Sequence, residues 1–142
     1  MKNFLQPNVH VLIEKDEKFL FLRRYKTGSS DGYWCLPSGK IENCEESPIQ
    51  AAKREGGEEI GLKTDPAFVV AVPNIRSLPL TYYMSFFFAC KTKENRTNCE
   101  SQKHDKMERF SLDDLPNPLI PLVNFGIECY LKKQTYGEFS YE

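Results

Sequence analysis

Residues 47 to 61 read Ser-Pro-Ile-Gln-Ala-Ala-Lys-Arg-Glu-Gly-Gly-Glu-Glu-Ile-Gly. They carry both ends of a helix and a charge pattern that a helix would not adopt for its own stability. Ser47 fits an N-cap, Pro48 the first helical position, and Gln50 the far member of an S-x-x-Q capping box. Gly61 supplies a C-terminal stop, so the helix is predicted to run to about Ile60. Glu55, Glu58 and Glu59 stand at i, i+3 and i+4 and fall within an arc of roughly 100° on one face. Like charges at these spacings repel. They also lie toward the C-terminal end, where the helix dipole disfavours negative charge. A hard divalent cation removes the conflict, because Mg²⁺ takes oxygen ligands and is commonly held by carboxylates together with substrate phosphates. Ala51 and Ala52 share the acidic face one turn earlier and are expected to leave space there. Ile49, Gly56 and Ile60 are expected to meet the core. The competing reading is a solvated helix face with Lys53 and Arg54 screening the acids, and the spacing alone lifts the metal reading only modestly over it.

The flanking sequence alternates strand and helix. Val9 to Ile13 is rich in β-branched residues, Glu14 to Lys18 is a polar turn, and Phe19 to Leu22 continues as a second strand, which predicts a hairpin. Arg23-Arg24 ends that strand with positive charge, and Lys26 to Gly32 (KTGSSDG) is a loop by composition. Tyr33 to Leu36 is a short strand stopped by Pro37-Ser38-Gly39. Phe68 to Val72 and Leu80 to Cys90 read as strands, the second buried on both faces around Phe86-Phe87-Phe88. Lys91 to Lys106 is a polar loop, Met107 to Phe110 an edge strand, and Ser111 to Leu115 a capped turn before the break at Pro116-Asn117-Pro118. Leu119 to about Gln134 is an amphipathic helix with Ile120, Val123, Ile127, Tyr130 and Leu131 near helical spacing. The tail from Tyr136 is expected to be mobile at its end. Such an order predicts one domain over residues 1–142, with a core of about 9–135, in the α/β or α+β class.

Composition sets the outer limits. The chain has 142 residues, and its 19 basic and 20 acidic side chains leave a net charge of −1. This balance argues against a protein that coats nucleic acid, and no stable nucleic-acid complex is expected. A chain of this length buries roughly 70% of its unfolded surface and needs no disulfide or metal staple. The longest uncharged stretch, Ser77 to Cys90, is shorter than the roughly 18 apolar residues of a membrane span. Five widely spaced cysteines without a C-x-x-C pair point to reduced thiols and a cytoplasmic protein.

The segment from Leu36 to Leu62 resembles the signature of the Nudix hydrolases, the MutT-type phosphohydrolases, G-x5-E-x7-R-E-U-x-E-E-x-G-U with U aliphatic. Glu46 is followed by seven residues, then Arg54-Glu55, Glu58-Glu59 and Gly61-Leu62. Leu36-Pro37-Ser38-Gly39-Lys40-Ile41-Glu42 matches the usual L-P-G-G-K-I-E lead-in, and Trp34 and Arg23-Arg24 stand where the family often has W and R-R. Three positions depart from the pattern. Six residues instead of five separate Gly39 from Glu46, Gly56 takes the aliphatic position, and Ser38 replaces the first glycine of the pair. Glycine in a helix costs about 1 kcal/mol relative to alanine, so Gly56-Gly57 is expected to soften this one.

The resemblance implies an α/β/α sandwich with a mixed sheet and a catalytic loop-helix-loop. It implies hydrolysis of a pyrophosphate bond in a nucleoside diphosphate-linked or nucleoside triphosphate substrate, assisted by Mg²⁺, with Mn²⁺ as a substitute. By the same resemblance Glu55, Glu58 and Glu59 are metal ligands and include the base, and the Gly39 carbonyl is a further ligand. Glu46 and Arg54 brace the loop-helix-loop. Arg23, Arg24 and Lys40 are candidates for the substrate's phosphates. Glu100 and Asp105 lie in a later loop where some members place another acid, though the solvated reading is favoured for both. Cys99 and His104 are too few for zinc. His10 reads as structural or surface, and Tyr33, Trp34, Tyr82 and Tyr83 mostly as packing residues. The alternative is a catalytically weak or inactive nucleotide-binding module of the same fold. A monomer or homodimer without membrane contact is expected.

Overall fold

The computed structural model describes residues 5–42, 46–60, 65–77, 80–93 and 102–141. The side chains of Glu58, Glu59, Ile60, Arg76, Ser77 and Leu80 lie outside that description, as does the expected helix stop at Gly61. Strands β1 (Leu5–Lys15) and β2 (Lys18–Arg24) form the expected hairpin. Its turn is tighter than the sequence suggests. Glu14 pairs with Phe19 and Lys15 with Lys18, which leaves Asp16 and Glu17 as the two central residues, both at positive φ (50° and 66°). That is the mirror-image turn whose twist matches flanking strands. Phe19, Leu20, Phe21 and Leu22 are all buried, which is why the run is continuously apolar instead of alternating.

β3 (Trp34–Cys35), β4 (Ser38–Lys40), β5 (Ala67–Ser77), β6 (Leu80–Lys91), β7 (His104–Phe110) and β8 (Phe139–Ser140) complete an eight-stranded sheet. The order is β3-β2-β1-β6-β5-β8, with β4 attached to β1 and β7 to β2. β1 runs parallel to β6 from Leu5↔Tyr82 to Glu14↔Lys91, and β8 runs parallel to β5. The other pairings are antiparallel, so the sheet is mixed. β7 begins at His104, inside the stretch expected to be loop. The tail from Tyr136, expected to be mobile at its end, instead bridges to Ala71 and then pairs with β5 through Phe139 and Ser140.

Helix α1 (Pro48–Ile60) packs against β1, β4 and β6, and α2 (Pro121–Lys132) against β5. They cover opposite faces. A side chain at Gly39, paired with Val9, would meet Glu55 of α1, whereas Phe87, paired with His10, lies against Gly126 of α2. Neighbouring residues of a strand point to opposite sides, so the arrangement is the α/β/α sandwich. Leu122, Val123, Gly126, Ile127 and Cys129 form the buried face of α2, while Leu131, expected to pack, is 60% exposed. No helix among the described residues is long and apolar enough to cross a membrane.

Gly126 is where α2 comes nearest the sheet, and a Cβ there would overlap the Phe87 ring. Gly126→Ala is expected to destabilise the protein by about 1–3 kcal/mol through overpacking, read from the urea unfolding midpoint.

Candidate active site

The capping box forms as the sequence indicates. The Ser47 backbone N–H donates to Gln50 Oε1 (2.8 Å) and the Gln50 N–H to Ser47 Oγ (3.2 Å). This fixes where α1 begins and places Glu46 just outside it. From the second turn Arg54 reaches back across the helix start. Its Nε and Nη2 donate to the two oxygens of Glu46 (2.7 and 3.0 Å), its Nη1 to Glu55 Oε1 (2.8 Å), and its Nη2 also to the Lys40 carbonyl (3.0 Å). The Glu46 Oε1 accepts a further bond from the Glu42 N–H (3.3 Å). The guanidinium hydrogen bond holds the Glu46 carboxyl below the usual carboxylate range, and that same bond raises Arg54. Of the two acids before the helix, Glu46 is the one that the seven-residue spacing to Arg54 selects. Glu45 and the extra loop residue lie outside the described residues.

Glu55 is 7% exposed and lies directly against Gly39. A Cβ on Gly39 would overlap its carboxylate, so glycine is required there by contact with the acid, not by φ. Glu58 and Glu59 follow on α1 three and four residues later, and Glu55 is the one acid of the three whose side chain is described. Glu55 is therefore turned to the sheet. Ala51 and Ala52 are completely buried within the hydrophobic core instead of opening space, and Ile49, expected in the core, is 41% exposed. The physical reason is size, since two alanines let α1 lie close to β1 and β4. Gly56 is buried, and a Cβ there would touch nothing within 4 Å. The family's aliphatic residue would have room.

The two arginines ending β2 part company. Arg23 makes a two-pronged pair with Asp105 of β7 (2.8 and 2.7 Å). Arg24 donates to the Ser29 carbonyl (2.8 Å) and Thr27 Oγ1 (3.2 Å), and it lines a cleft together with Lys40, Ser38 and Gly39. The loop between them is closed by Asp31, whose carboxylate accepts from Thr27 Oγ1, the Thr27 N–H and the Gly28 N–H. These bonds hold Asp31 below its ordinary pKa. Trp34 is buried edge-on against Phe110, while Tyr33 and Tyr82 are largely exposed. Glu100 and Cys99 lie outside the described residues. His104 Nε2 sits 4.0 Å from Cys35 Sγ.

The cleft, about 190 Å³, lies on the α2 side of the sheet, and Gly39 belongs both to its wall and to the Glu55 contact. Its floor is polar in a way the sequence reading missed. Asn8 Oδ1 and both ring nitrogens of His10 are shut off from solvent and make no hydrogen bond. Atoms left in that condition cost about 1–3 kcal/mol per group. Asn74 joins them, 2% exposed, with its amide nitrogen donating to the Val72 carbonyl and Ser85 Oγ (both 3.0 Å). The available signal was period two: Gln6, Asn8 and His10 alternate with apolar residues in β1. His10 stacks on Phe87 at 4.6 Å. Burial, aided by the positive charge of Arg24, lowers its pKa from 6.5 to about 4.

A sheet flanked by helices on both faces, a capped acidic helix braced to the preceding loop, and a cleft sharing Gly39 with it make up the candidate site. The profile of the NUDIX domain matches residues 4–131, and the chain belongs to the Nudix family. It is a Nudix-type hydrolase of the class that acts on pyrophosphate bonds. Among curated proteins it is similar to Phosphatase NudJ of Escherichia coli K12, 26% identical over 150 residues covering 96% of this chain and 94% of the relative. Among solved structures it is similar to a MutT NUDIX hydrolase from Burkholderia pseudomallei (TM-score 0.78, 23% identity, covering 89% of this chain and 98% of that one). It is also similar to a NUDIX hydrolase from Nitrosomonas europaea (TM-score 0.77, 25% identity, covering 94% and 93%).

Two outcomes follow from this geometry. Gly39→Ala drives a methyl group into the Glu55 carboxylate and is expected to lower turnover about 100-fold, the cost of displacing a site by about 1 Å. Steady-state kinetics with a circular-dichroism check of folding reads it. The second concerns acid. The unfolded chain protonates His10 near pH 6.5, whereas the folded chain resists until about pH 4. Stability is therefore fully present above pH 6.5 and falls as pH drops toward 4, by about 3 kcal/mol from His10 alone. His104, also lowered to about 4 by burial, adds in the same direction. Unfolding midpoints at pH 7, 5.5 and 4 check this.

Proposed function

We propose that this Nudix hydrolase carries out Mg²⁺-dependent hydrolysis of a pyrophosphate bond in a nucleoside diphosphate-linked or nucleoside triphosphate substrate. The observation that carries the reading is the contact between the buried Glu55 carboxylate and Gly39, in a gap that a Cβ would fill. It sets anionic oxygens beside strand backbone. With Glu58 and Glu59 following on the same helix, the donors are hard oxygens, which suit Mg²⁺ or Mn²⁺. Glu55, Glu58, Glu59 and the Gly39 carbonyl would hold the ion, which when bound neutralises phosphate charge and acidifies a water. Glu58 or Glu59 would take the proton from the attacking water. Glu46 and Arg54 hold Glu55 and the Lys40 backbone in place, and the ammonium of Lys40 and the guanidinium of Arg24 would meet phosphate oxygens along the cleft mouth. The names of the relatives, a phosphatase and two Nudix hydrolases, support the reaction class. The wide spacing of the five cysteines, with no C-x-x-C pair, supports a cytoplasmic setting.

The test is a panel of nucleoside triphosphates, nucleotide sugars and dinucleoside polyphosphates, assayed for released phosphate, pyrophosphate and nucleoside monophosphate. Wild type is expected to turn over at least one compound with Mg²⁺ and none in excess EDTA. Glu58→Gln is expected to lose at least about 100-fold in kcat at an unchanged melting temperature. Full activity in that variant, or no metal-dependent turnover across the panel, would overturn the reading.

A further inference from the structure

The two arginines that end β2 meet different neighbours. Pairing slips between them, with Arg23 opposite Lys106 and Arg24 opposite His104, so Asp105 is the extra residue of a bulge on β7. The Asp105 carboxylate takes the Nε and Nη2 edge of Arg23 (2.8 and 2.7 Å). Arg24 is gripped by the loop that follows it. Its backbone N–H donates to the Tyr33 carbonyl (2.9 Å), and its own carbonyl accepts from the Gly32 N–H (2.8 Å). Its Nε donates to the Ser29 carbonyl and its Nη2 to Thr27 Oγ1. Backbone and guanidinium are thus both held by the same short loop.

The protons of this loop have one consistent arrangement. The Thr27 hydroxyl has a single hydrogen to give, with Asp31 Oδ1 at 2.6 Å and the Ser29 carbonyl at 2.8 Å. The carboxylate is both nearer and charged, and takes it. The Thr27 oxygen is then left to accept from Arg24 Nη2 and the Ser29 N–H (both 3.2 Å), and the Ser29 carbonyl to accept from Arg24 Nε (2.8 Å). A hydroxyl that donates to a carboxylate is polarised into a better acceptor for the guanidinium. The backbone N–H groups of Thr27 and Gly28 also donate to Asp31. An asparagine would turn an amide NH₂ toward one of these donors, so the position calls for an acid. The loop holds Lys26 and Ser30 at positive φ (52° and 53°), a conformation that persists only where the surroundings over-determine it and that recurs in ligand clamps.

The neutral hydroxyl between acid and base decides what Arg24 can still do. Two of the five guanidinium N–H groups are engaged, and both on Nη1 and one on Nη2 have no partner among the described residues. Two adjacent nitrogens of this kind grip a phosphate in two-pronged fashion. A direct Asp31–Arg24 pair would occupy such an edge, as Asp105 does on Arg23. Arg24 lines the cleft with Ser38, Gly39 and Lys40. We propose that Asp31 is a positioning residue that, through the Thr27 hydroxyl, holds Arg24 with a two-nitrogen edge open for the substrate's pyrophosphate. This rests on reading the neighbouring acidic helix as the hydrolytic site, and goes beyond it by assigning what places the arginine. A guanidinium immobilised beforehand loses less freedom on binding. Asp31 and Thr27 act through Arg24 and touch no reacting atom.

Titration calorimetry with inorganic pyrophosphate in excess Mg²⁺ tests it without turnover. Thr27→Val, which removes only the hydroxyl, and Asp31→Asn are each expected to weaken pyrophosphate binding about tenfold, the weight of one hydrogen bond to a charged group. Arg24→Met is expected to weaken it at least as much. Thr27→Ser keeps the hydroxyl and is expected to bind as wild type does. In the Arg24→Met background, Thr27→Val is expected to change nothing further, because residues that act through one group are not additive. The proposal is overturned if wild type does not bind pyrophosphate, or if Thr27→Val or Asp31→Asn binds as tightly as wild type. It is equally overturned if Thr27→Ser is as weak as Thr27→Val, or if Thr27→Val costs the same with and without Arg24, the mark of a loop that has simply come apart. Coupling of Thr27 to Arg24 in a protein that hydrolyses nothing in the substrate panel would sink the hydrolase reading and leave the positioning intact. Turnover without that coupling would do the reverse.

Discussion

The guanidinium of Arg54 is the interaction on which the arrangement of the site depends. One planar group holds Glu46 before the helix, Glu55 within it and the Lys40 carbonyl at the end of β4. Those three points belong to three separate pieces of backbone, and a helix cap alone would fix only one of them. A lysine supplies a point charge on a flexible stem and cannot satisfy this fork of acceptors at once. The pairing also explains how Glu55 can sit nearly out of solvent as an acid. Its Oε1 accepts from a cation that is itself already anchored, so the cost of burying the carboxylate is offset by a partner with little freedom left to lose.

The sheet beneath is asymmetric in what it gives up for function. On the α1 face small residues bring the helix down onto β1 and β4. On the α2 face polar atoms of β1 are buried without partners where apolar ones would pack better. The second is the costlier departure, because an unsatisfied buried group loses its water and gains nothing in the free protein. Departures from local consistency of this kind concentrate where a fold does chemistry. The depressed pKa of His10 belongs to the same arrangement, since a ring kept neutral presents both a donor and an acceptor, where an imidazolium presents donors only.

Much of this was legible beforehand for identifiable reasons. The hairpin, the capped helix and the apolar run at Phe86-Phe87-Phe88 are set by local chemistry, and each appears. The Glu46–Arg54 brace follows from a spacing that a long signature preserves. Ile49, expected to meet the core, is exposed, and Ala51 and Ala52 are buried in its place, because the contact between Glu55 and Gly39 turns the alanines one turn earlier to the sheet, while Gly56 is buried as expected. Pairing of the tail with β5 depends on an edge formed some sixty residues earlier, and no local pattern announces that. Leu131 keeps helical spacing yet points away because α2 is covered on one side only. The cleft floor escaped notice because Asn8 and His10 look like ordinary interruptions of a strand until Ser85 and Asn74 are brought beside them.

The short strand β4 joins the two halves of the site. Its three residues pair with β1 as Asn8↔Lys40, Val9↔Gly39 and His10↔Ser38. The residue that accepts the Glu55 carboxylate therefore lies opposite Val9, between the two residues that floor the cleft, and alternation puts Gly39 and those two on opposite faces. A slip of one residue in this ladder would exchange the faces, turning Gly39 toward the cleft and a bulkier side chain into Glu55. The floor of the cleft on one side and the placement of the carboxylate on the other are thus fixed by a single three-residue register. Arg54, by holding the Lys40 carbonyl, secures the end of that ladder from the helix side.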